Sequence, residues 1–300
     1  MAEMKDPDSR EFHFTTQDFH RVRKMIHEHA GITLSDSKQE LVYSRLSRRL
    51  RATGIRTFGA YLQRLEQNDE QEWEAFVNSL TTNLTSFFRE PHHFPLLAEH
   101  MLQQRGSHPI ELWCSASSTG EEAYSMAMTA VEAFKSFTPP VTILATDLDT
   151  NVLETARKGV YSIDRVEKLE DEKLKKFFLK GEGSHTGQVK VRPELQRLIT
   201  FRQLNLLDAK WPIHGGLDGI FCRNVMIYFD KETQLAILKK FAPLLREDGL
   251  LFAGHSENFY HADAYFKLRG KTVYELSHGF KATHHQTAPS QSTKPHKFTV

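Results

Sequence analysis

The sequence predicts an α/β protein with a small N-terminal helical domain, followed by a doubly wound Rossmann-like domain that carries a small β-rich insert. Three observations lead to this prediction. Residues 1–84 show helical periodicity and helix caps without strand-like alternation. Across residues 85–277, short apolar strands alternate with helices, which is typical of a mostly parallel sheet. Between about residues 160 and 197, glycines and an alternating run interrupt that rhythm and indicate the insert.

The first two helices of the N-terminal domain are predicted from their ends. Thr15 and Asp18 have the spacing of an N-terminal capping pair, and Gly31 is a suitable C-cap. Ser37 and Glu40 repeat the capping spacing and predict the start of the second helix.

Two shorter helices are expected to complete this domain. The second helix should stop near Gly54, and Thr57 is placed to cap a third. A fourth is expected over residues 69–80, where apolar residues recur at helical spacing. The domain is therefore predicted to be entirely helical.

Basic side chains are concentrated in this helical domain. Between residues 21 and 56, nine lysines and arginines stand against three acids. Arg45, Arg48 and Arg49 have the three-and-four spacing that places side chains on one helix face. That face is either an ordinary solvated surface or a docking surface for an acidic partner. Because aromatic residues are not interleaved with it, binding of nucleic acid is the weaker interpretation.

The second domain is expected to contain six main strands, of which the last lies at an edge. They are predicted over residues 110–114, 141–146, 198–201, 217–222, 250–253 and 266–276. Helices are predicted over residues 121–134, 151–158 and 231–245. Ligands of such sheets bind beyond the carboxyl ends of the strands, so the functional residues are sought there.

The insert contains a charged segment with helical character at residues 169–178. It also contains Gly181, Gly183 and Gly187, followed by alternating apolar and basic residues at 189–192. Glycines beside an alternating run are typical of turns between short strands. We therefore expect a small β-rich subdomain.

The overall composition indicates an ordinary globular protein. The formal net charge is +1, which gives the whole molecule no electrostatic preference for nucleic acid or membranes. The two cysteines, Cys114 and Cys222, lack metal-type or redox-type spacing. No apolar run has the length of a membrane span, and the N-terminus does not resemble a signal peptide. We expect a soluble cytoplasmic monomer without a metal, ending in a disordered tail over residues 278–300.

The turn at residues 115–120 joins the first strand to a helix of this domain. It contains one glycine, Gly120, and does not match the dinucleotide-binding pattern G-x-G-x-x-G. Glu121 and Glu122 follow it and would repel a pyrophosphate at the helix N-terminus. The turn therefore favours a ligand without phosphate. Alternatively, the two acids only complement the helix dipole.

Polar residues follow the next two strands. Asp147 closes the second strand, where nucleoside-binding sheets place an acid on ribose hydroxyls. Asp149 precedes Thr150 and suits helix capping better. Asn205 and Leu206 follow the third strand, where they are expected to meet the edge and the face of an adenine ring.

Two further segments combine ligand-competent polar side chains with paired apolar residues. The first is residues 81–90, with the sequence TTNLTSFFRE, and the second is residues 222–229, with the sequence CRNVMIYF. Polar groups that lie beside buried surface need a partner, so both segments are expected to line a pocket.

Six segments together resemble the CheR family, the chemotaxis receptor methyltransferases, which are S-adenosylmethionine-dependent protein-glutamate O-methyltransferases. They are residues 81–90, 117–122, 145–149, 204–207, 222–230 and 252–258. The resemblance extends over about residues 14–276. It implies transfer of a methyl group to receptor glutamates in sensory adaptation, with S-adenosylhomocysteine as the product.

The resemblance also assigns roles to individual residues. It implies that the cofactor is bound by Asn83, Thr85, Arg89, Glu122, Asp147, Asn205, Leu206, Arg223 and Asn224. It places Tyr228 near the methyl group. Because a guanidinium can engage both oxygens of a carboxylate, Arg89 is the candidate to hold the substrate carboxylate. Tyr228 is the candidate to orient the methyl group or to face the sulfonium, or alternatively it is a core residue among apolar neighbours. The resemblance further implies that the insert docks a C-terminal receptor peptide through Gly181, Gly183, Gly187 and Lys190. A basic face containing Arg45, Arg48 and Arg49 is our hypothesis for the contact with acidic receptor helices.

Other functions are compared with this one. A nucleic-acid methyltransferase would use the basic helical face, and a non-catalytic adaptor would bind receptor tails without turnover. The set Asn83, Arg89, Asp147 and Tyr228 argues against the adaptor. His255 beside Ser256 and Glu257 does not predict a hydrolase, because no nucleophile elbow surrounds the serine.

Overall fold

The computed structural model describes residues 10–67 and 69–285. The N-terminal domain is helical, as predicted. Its helices are α1 (Thr16–Ala30), α2 (Gln39–Thr53), α3 (Phe58–Glu66) and α4 (Glu70–Leu80). Their apolar faces enclose one core, in which Val22, Leu46 and Tyr61 are fully buried.

The predicted ends of these helices are mostly confirmed. Thr15 and Asp18 form a reciprocal capping box, and Gly31 ends α1 in the left-handed conformation with φ 68°. The prediction that Ser37 caps the second helix is wrong. A 3-10 turn precedes α2, and the Ser37 hydroxyl lies 2.8 Å from the Ser35 hydroxyl. The tight turn takes the place of a side-chain cap, so α2 starts without one.

The remaining elements form the second domain and its insert. In chain order they are α5 (His93–Gln103), β1 (Ile110–Cys114), α6 (Glu121–Phe134), β2 (Val141–Asp147), α7 (Thr150–Lys158), β3 (Val160–Ser162), α8 (Asp171–Phe177), β4 (Phe178–Lys180), β5 (Gln188–Val191), α9 (Pro193–Gln196), β6 (Ile199–Gln203), β7 (Leu217–Cys222), α10 (Lys231–Phe241), β8 (Leu245–Ala253), β9 (Phe266–Gly270), β10 (Val273–Leu276) and α11 (His278–His285).

Seven strands form the main sheet in the order β6-β2-β1-β7-β8-β10-β9. The five strands from β6 to β8 pair in parallel, whereas β10 is antiparallel to both of its neighbours. Helices α5 and α6 pack on one face and α10 packs on the other, so the sheet is covered on both sides. The predicted doubly wound fold is confirmed.

The structure corrects three details of this domain. The single edge strand predicted over residues 266–276 is a hairpin, because Lys271 and Thr272 both adopt positive φ and turn the chain back. Helix α5 was not predicted. The helix predicted over residues 231–245 ends at Phe241, after which a 3-10 turn leads into β8.

The insert contains a three-stranded antiparallel sheet in the order β3-β5-β4. It is connected to α8 and α9, and its apolar side chains Phe178, Val189 and Val191 join the core of the main domain. The predicted β-rich subdomain is therefore present, and it shares the hydrophobic core of the sheet domain rather than forming a separate one.

The tail differs from the prediction at its start. Residues 278–285 form helix α11, in which Phe280 packs against the core beside Tyr265. The disorder expected for residues 278–285 is therefore wrong, because this apolar contact supports a helix. The rest of the predicted tail lies outside the described residues. No described helix combines the length and the apolar composition needed to cross a bilayer.

Candidate active site between the two domains

A cavity of about 590 Å³ lies where the helical domain covers the carboxyl ends of β1, β2, β6 and β7. The helical domain contributes its turn at residues 30–35, one face of α2 and the end of α4. The linker between α4 and α5, residues 81–92, contributes residues 81–85 and Arg89. The cavity brings together all of the residues assigned to the cofactor or to catalysis. These are Asn83, Thr85, Arg89, Glu122, Asp147, Asn205, Leu206, Arg223, Asn224 and Tyr228.

Backbone hydrogen bonds and side chains hold the two domains together around this cavity. The Thr33 amide donates to the Tyr228 carbonyl at 2.8 Å. The Asn205 amide donates to the His29 carbonyl at 2.9 Å, and its oxygen accepts from the Leu207 amide. Asn205 therefore joins the domains, and its role at adenine remains a prediction. Leu206 is buried in the cavity wall.

The linker is fastened to the sheet domain through Asp149. One oxygen of Asp149 accepts from the Asn83 side chain at 2.8 Å and from the Thr81 hydroxyl at 2.9 Å. Its other oxygen caps α7, as the sequence predicted. The Asn83 carbonyl in turn accepts from the Ser118 hydroxyl. Asn83 thus shapes the cavity even before any ligand contact is considered.

Arg89 lies in a strained part of the linker. Phe88 and Glu90 on either side of it have φ values of 50° and 53°, in the left-handed region that residues other than glycine rarely adopt. Ser118 and Asn224, which also line the cavity, have positive φ as well. The Arg89 guanidinium donates to the Leu84 carbonyl at 2.9 Å, so it bends back along its own linker.

Glu122 and Arg223 form a buried pair. The Arg223 guanidinium donates to Glu122 at 2.9 Å and also to the Arg89 carbonyl. Glu122 accepts from the Cys114 thiol at 3.2 Å. Burial raises the pKa of Glu122, and the charge of Arg223 opposes that effect. Arg223 therefore partly offsets the cost of burying this carboxyl group in the cavity wall, and it connects the group to the linker.

Asp147 is a buried carboxylate at the end of β2. Its two oxygens accept from the amides of Ser118 and Asp149, at 2.7 and 3.0 Å. Burial raises the pKa of Asp147 to about 6, although these hydrogen bonds lower it. The side chain is therefore fixed in orientation and titrates close to neutral pH.

Two acids that organise the site were not assigned a role from the sequence. Glu257 accepts from the amides of Gly254, Asn224, Val225 and Met226, and so it holds the loops after β7 and β8. These bonds occupy Glu257 and leave it no part in a hydrolase. In the sequence, Glu257 is only an acid in the loop Gly254–Glu257. Its role in holding two loops is recognisable only once the fold is known.

Glu90 is the second organising acid. It accepts from the amide and the ring of His255, at 3.1 and 2.9 Å, and lies 3.5 Å from the Arg223 guanidinium. Although burial opposes the shift, these hydrogen bonds and the charge of Arg223 lower the pKa of Glu90 to about 2. Glu90 is therefore ionised near neutral pH, and it joins the linker to the loops that follow β7 and β8.

Glu90 also supplies the partner that the sequence did not reveal for His92 and His93. One potential ligand atom from each of the three residues lies within 4.8 Å of the others. The Arg223 guanidinium beside Glu90 opposes a cation there, and the His93 ring is 2.9 Å from the Lys271 carbonyl. We therefore do not assign a metal site to Glu90, His92 and His93.

Tyr228 belongs to the cavity rather than to the core. It is half-buried and lines the cavity. Its neighbours Val225 and Phe229 also line the cavity, and in addition they pack against the apolar core that contains α10. A 3-10 turn over Met226–Tyr228 carries it, and the Gln234 side chain donates to the Met226 carbonyl at 2.9 Å. This arrangement disfavours the alternative in which Tyr228 is an ordinary core residue.

The basic face predicted on α2 is not a single exposed surface. Arg45 points into the cavity and donates to the carbonyls of Leu80 and Thr81, at 2.9 and 2.7 Å. Arg49 makes two hydrogen bonds to the buried carboxylate of Glu72. Only Arg48 of the three is exposed. The three side chains diverge because α4 packs beside α2, and the carbonyl end and the buried acid of α4 both require donors. Contact between these arginines and receptor helices stays a prediction.

The residues assigned to peptide docking lie in the insert and do not line the cavity. A side chain at Gly181 would place its Cβ 2.1 Å from the His185 carbonyl, so the hairpin needs glycine there. Gly183 and Gly187 have positive φ, and Lys190 is exposed on β5. Docking at this hairpin remains a prediction.

The chemistry of the cavity fits S-adenosylmethionine. Glu122 and Asp147 suit a cationic amino group and a ribose diol, and Leu206 offers apolar surface beside them. The acids at the start of α6 disfavour a phosphate. A doubly wound sheet with this site defines an S-adenosylmethionine-dependent methyltransferase domain.

Comparison with known proteins identifies the family. Residues 83–275 match the family described as CheR methyltransferase, SAM binding domain, and residues 17–81 match CheR methyltransferase, all-alpha domain. The chain therefore belongs to the CheR methyltransferase family.

Similar proteins of known name support this assignment. The chain is 53% identical over 267 residues to chemotaxis protein methyltransferase 2 of Pseudomonas aeruginosa. The match covers 89% of this chain and 95% of the relative. It is 51% identical over 260 residues to the chemotaxis protein methyltransferases of Escherichia coli and Salmonella typhimurium. Each match covers 86% of this chain and 90% of the relative.

Proposed function

We propose that this protein transfers the methyl group of S-adenosylmethionine to glutamate carboxylates of chemoreceptors and so forms glutamate methyl esters. The similar proteins are named chemotaxis protein methyltransferases, which supports a chemotactic substrate. The observation that carries the proposal is the separation of charge in the cavity. Asp147 and the Glu122–Arg223 pair line the sheet side, and Arg45 and Arg89, which form no ion pair in the described part of the chain, approach from the helical domain and the linker.

The sheet side of the cavity is the place for the cofactor in this proposal. Glu122 and Asp147 would hold its amino group and ribose, and Leu206 would pack against its adenine. Asn83 and Arg223 would act mainly by holding Asp149 and Glu122 in place. When bound there, S-adenosylmethionine supplies an electrophilic methyl group on a sulfonium.

The helical side is the place for the substrate carboxylate. Neither Arg45 nor Arg89 forms an ion pair within residues 10–67 and 69–281; each donates to backbone carbonyls. Burial lowers the pKa of Arg45. An incoming carboxylate would offset that cost, because both of its oxygens can accept hydrogen bonds from a guanidinium group.

The proposed reaction needs no general base. A glutamate side chain has an ordinary pKa of about 4.3, so its carboxylate is already anionic near neutral pH. The protein must instead align the attacking oxygen with the methyl carbon and exclude water. Arg89 and Arg45 would orient the carboxylate, and the Tyr228 ring would face the cationic sulfur.

The insert is proposed as a separate docking site for a receptor C-terminal peptide. Its β4–β5 hairpin lies outside the cavity and exposes Lys190. A peptide bound at this hairpin, outside the cavity, would raise the local concentration of receptor without altering the methyl transfer itself. This proposal is supported by the resemblance of the Gly181, Gly183 and Gly187 spacing to the family.

The test is incubation with labelled S-adenosylmethionine and chemoreceptor-containing membranes. Base-labile label on receptor glutamates is expected. Label on added RNA or DNA instead would identify a nucleic-acid methyltransferase, and receptor binding without label would identify an adaptor. Arg45→Ala should abolish most of the transfer, whereas Arg105→Ala, at an exposed arginine that does not line the cavity, serves as the control.

A further inference from the structure

Two exposed apolar side chains stand at the mouth of the cavity. Leu84 is 78% exposed and Ile227 is 50% exposed, and both line the cavity. The described part of the chain exposes five other large apolar side chains, and none of them lines it: Leu102, Ile163, Leu179, Tyr260 and Leu268. Exposed apolar groups that line the same functional cavity point to an interaction surface.

Rigid backbone carries both of these side chains. The Leu84 carbonyl accepts from the Arg89 guanidinium at 2.9 Å, which fixes the linker beneath the leucine. Ile227 lies in the 3-10 turn whose first amide donates to Glu257 at 2.8 Å. The turn is also joined to the helical domain through the Tyr228 carbonyl. Backbone held in this way loses little conformational entropy when a partner covers it.

The charges around the same mouth define the partner further. Lys38 and Arg45 line the cavity on its helical side, and Arg48 is exposed on the same helix. A partner that covers Leu84 and Ile227 therefore meets positive charge immediately beside apolar surface. The complementary surface is an acidic segment with an apolar side chain close to its carboxylates.

We propose that Leu84 and Ile227 form an apolar rim that docks the substrate protein, and that this substrate presents an apolar side chain beside the carboxylate to be methylated. The inference rests on the proposed function for the identity of the transferred group. It adds a specificity element: a carboxylate within a purely polar segment binds poorly, even where its charge matches. Arg45 and Arg89 then select the acid, and the rim selects its surroundings.

The experiment compares Leu84→Ser and Ile227→Ser with Leu268→Ser, which removes an exposed leucine on β9, remote from the cavity. Binding of each variant is measured by cosedimentation with membranes that contain chemoreceptors lacking the C-terminal peptide, so that docking at the insert does not contribute. Methyl transfer is measured on the same membranes. Each rim variant should bind about tenfold more weakly and show a KM about tenfold higher, as expected for one unburied aliphatic side chain. Leu268→Ser should match the wild type, and S-adenosylhomocysteine affinity should be unchanged in all three variants.

The outcomes separate this inference from the proposed function. Equal membrane binding by all three variants and the wild type overturns the rim, and so does a parallel loss of S-adenosylhomocysteine affinity. Weaker membrane binding by the rim variants alone supports the rim even if the wild type transfers no methyl group. In that last case the proposed reaction fails and the docking surface stands.

Discussion

Arg89 is the residue on which the assignment of substrate and cofactor sites turns. It is flanked by two residues with positive φ, and its guanidinium forms no ion pair within the described residues. Glu122 lies close enough to be influenced by its charge, but pairs with Arg223. An arginine without an ion-pair partner, held at a cavity between two strained residues, is expected to act on an incoming anion rather than to stabilise the fold.

Arg89→Ala should therefore lower methyl transfer by about 100-fold or more, as is common when a preorganised charge at the reacting centre is lost. The dissociation constant of S-adenosylhomocysteine should change by less than about threefold, because the acids of the sheet side remain. Single-turnover transfer and calorimetric binding measure the two effects. A similar loss in both would remove the substrate-orienting role of Arg89.

Asp147 predicts a pH dependence with opposite signs for binding and stability. Burial raises its pKa to about 6 from an ordinary value of 3.8. S-adenosylhomocysteine should bind more weakly below about pH 6, where the carboxyl is protonated and can no longer accept from both ribose hydroxyls. Asp147→Asn should bind weakly and without that pH dependence, as measured by calorimetry between pH 5 and 8, the range of the proposed titration.

The stability of the ligand-free protein should change in the other direction. Because the folded-state pKa of Asp147 is raised, its contribution to the free energy of unfolding is greatest below about pH 4 and is lost as the pH rises through about 6. Denaturation of Asp147→Asn should lack this component. A wild-type profile whose slope is identical to that of the variant would contradict the raised pKa.

At the scale of elements, the β4–β5 hairpin depends on one close backbone approach. Gly181→Ala would place a Cβ 2.1 Å from the His185 carbonyl, whereas an alanine at Gly183 would meet nothing within 4 Å and only bear a positive φ. We expect Gly181→Ala to lower the free energy of unfolding by about 2–3 kcal/mol. Gly183→Ala should lower it by about 1 kcal/mol.

Hydrogen exchange locates the effect of these glycine variants. Gly181→Ala should lose amide protection over residues 178–191 and retain S-adenosylhomocysteine affinity, since the hairpin lies outside the cavity. Unchanged protection in this variant would show that the hairpin accommodates the methyl group.

The elements also show how far the sequence predicts this molecule. Capping pairs, apolar runs and strand ends are local signals, so α1, β1, β2 and the position of Asp147 were predicted correctly. The directions of Arg45 and Arg49 depend on α4 packing beside α2, which no local pattern encodes. The role of Glu90 likewise requires three segments that are distant in sequence to meet.

At the scale of the whole molecule, the cavity belongs to both domains. Its walls include the turn at residues 30–35 as well as the ends of the strands. A ligand held there should stabilise the helical domain together with the sheet domain. At 100 times its dissociation constant, a ligand that binds only the folded state adds about 2.7 kcal/mol to the free energy of unfolding.

Hydrogen exchange with saturating S-adenosylhomocysteine should therefore show increased protection in residues 31–38 as well as in residues 115–122 and 147–149. Removal of the ligand should reverse the increased protection in both domains together. Adenosine alone serves as a partial ligand for comparison. Protection confined to the sheet domain would contradict a cavity shared between the domains.

The hydrogen bond from the Thr33 amide to the Tyr228 carbonyl has a consequence for how members of such a family can diverge. A module that is only tethered to its catalyst can be exchanged for another by recombination. Here the helical module supplies part of the reaction chamber, and a chimera that replaced it would have to match a foreign backbone to Tyr228. New receptor preferences are therefore expected to arise by point substitution at the mouth or in the hairpin, while the two domains are inherited as one unit.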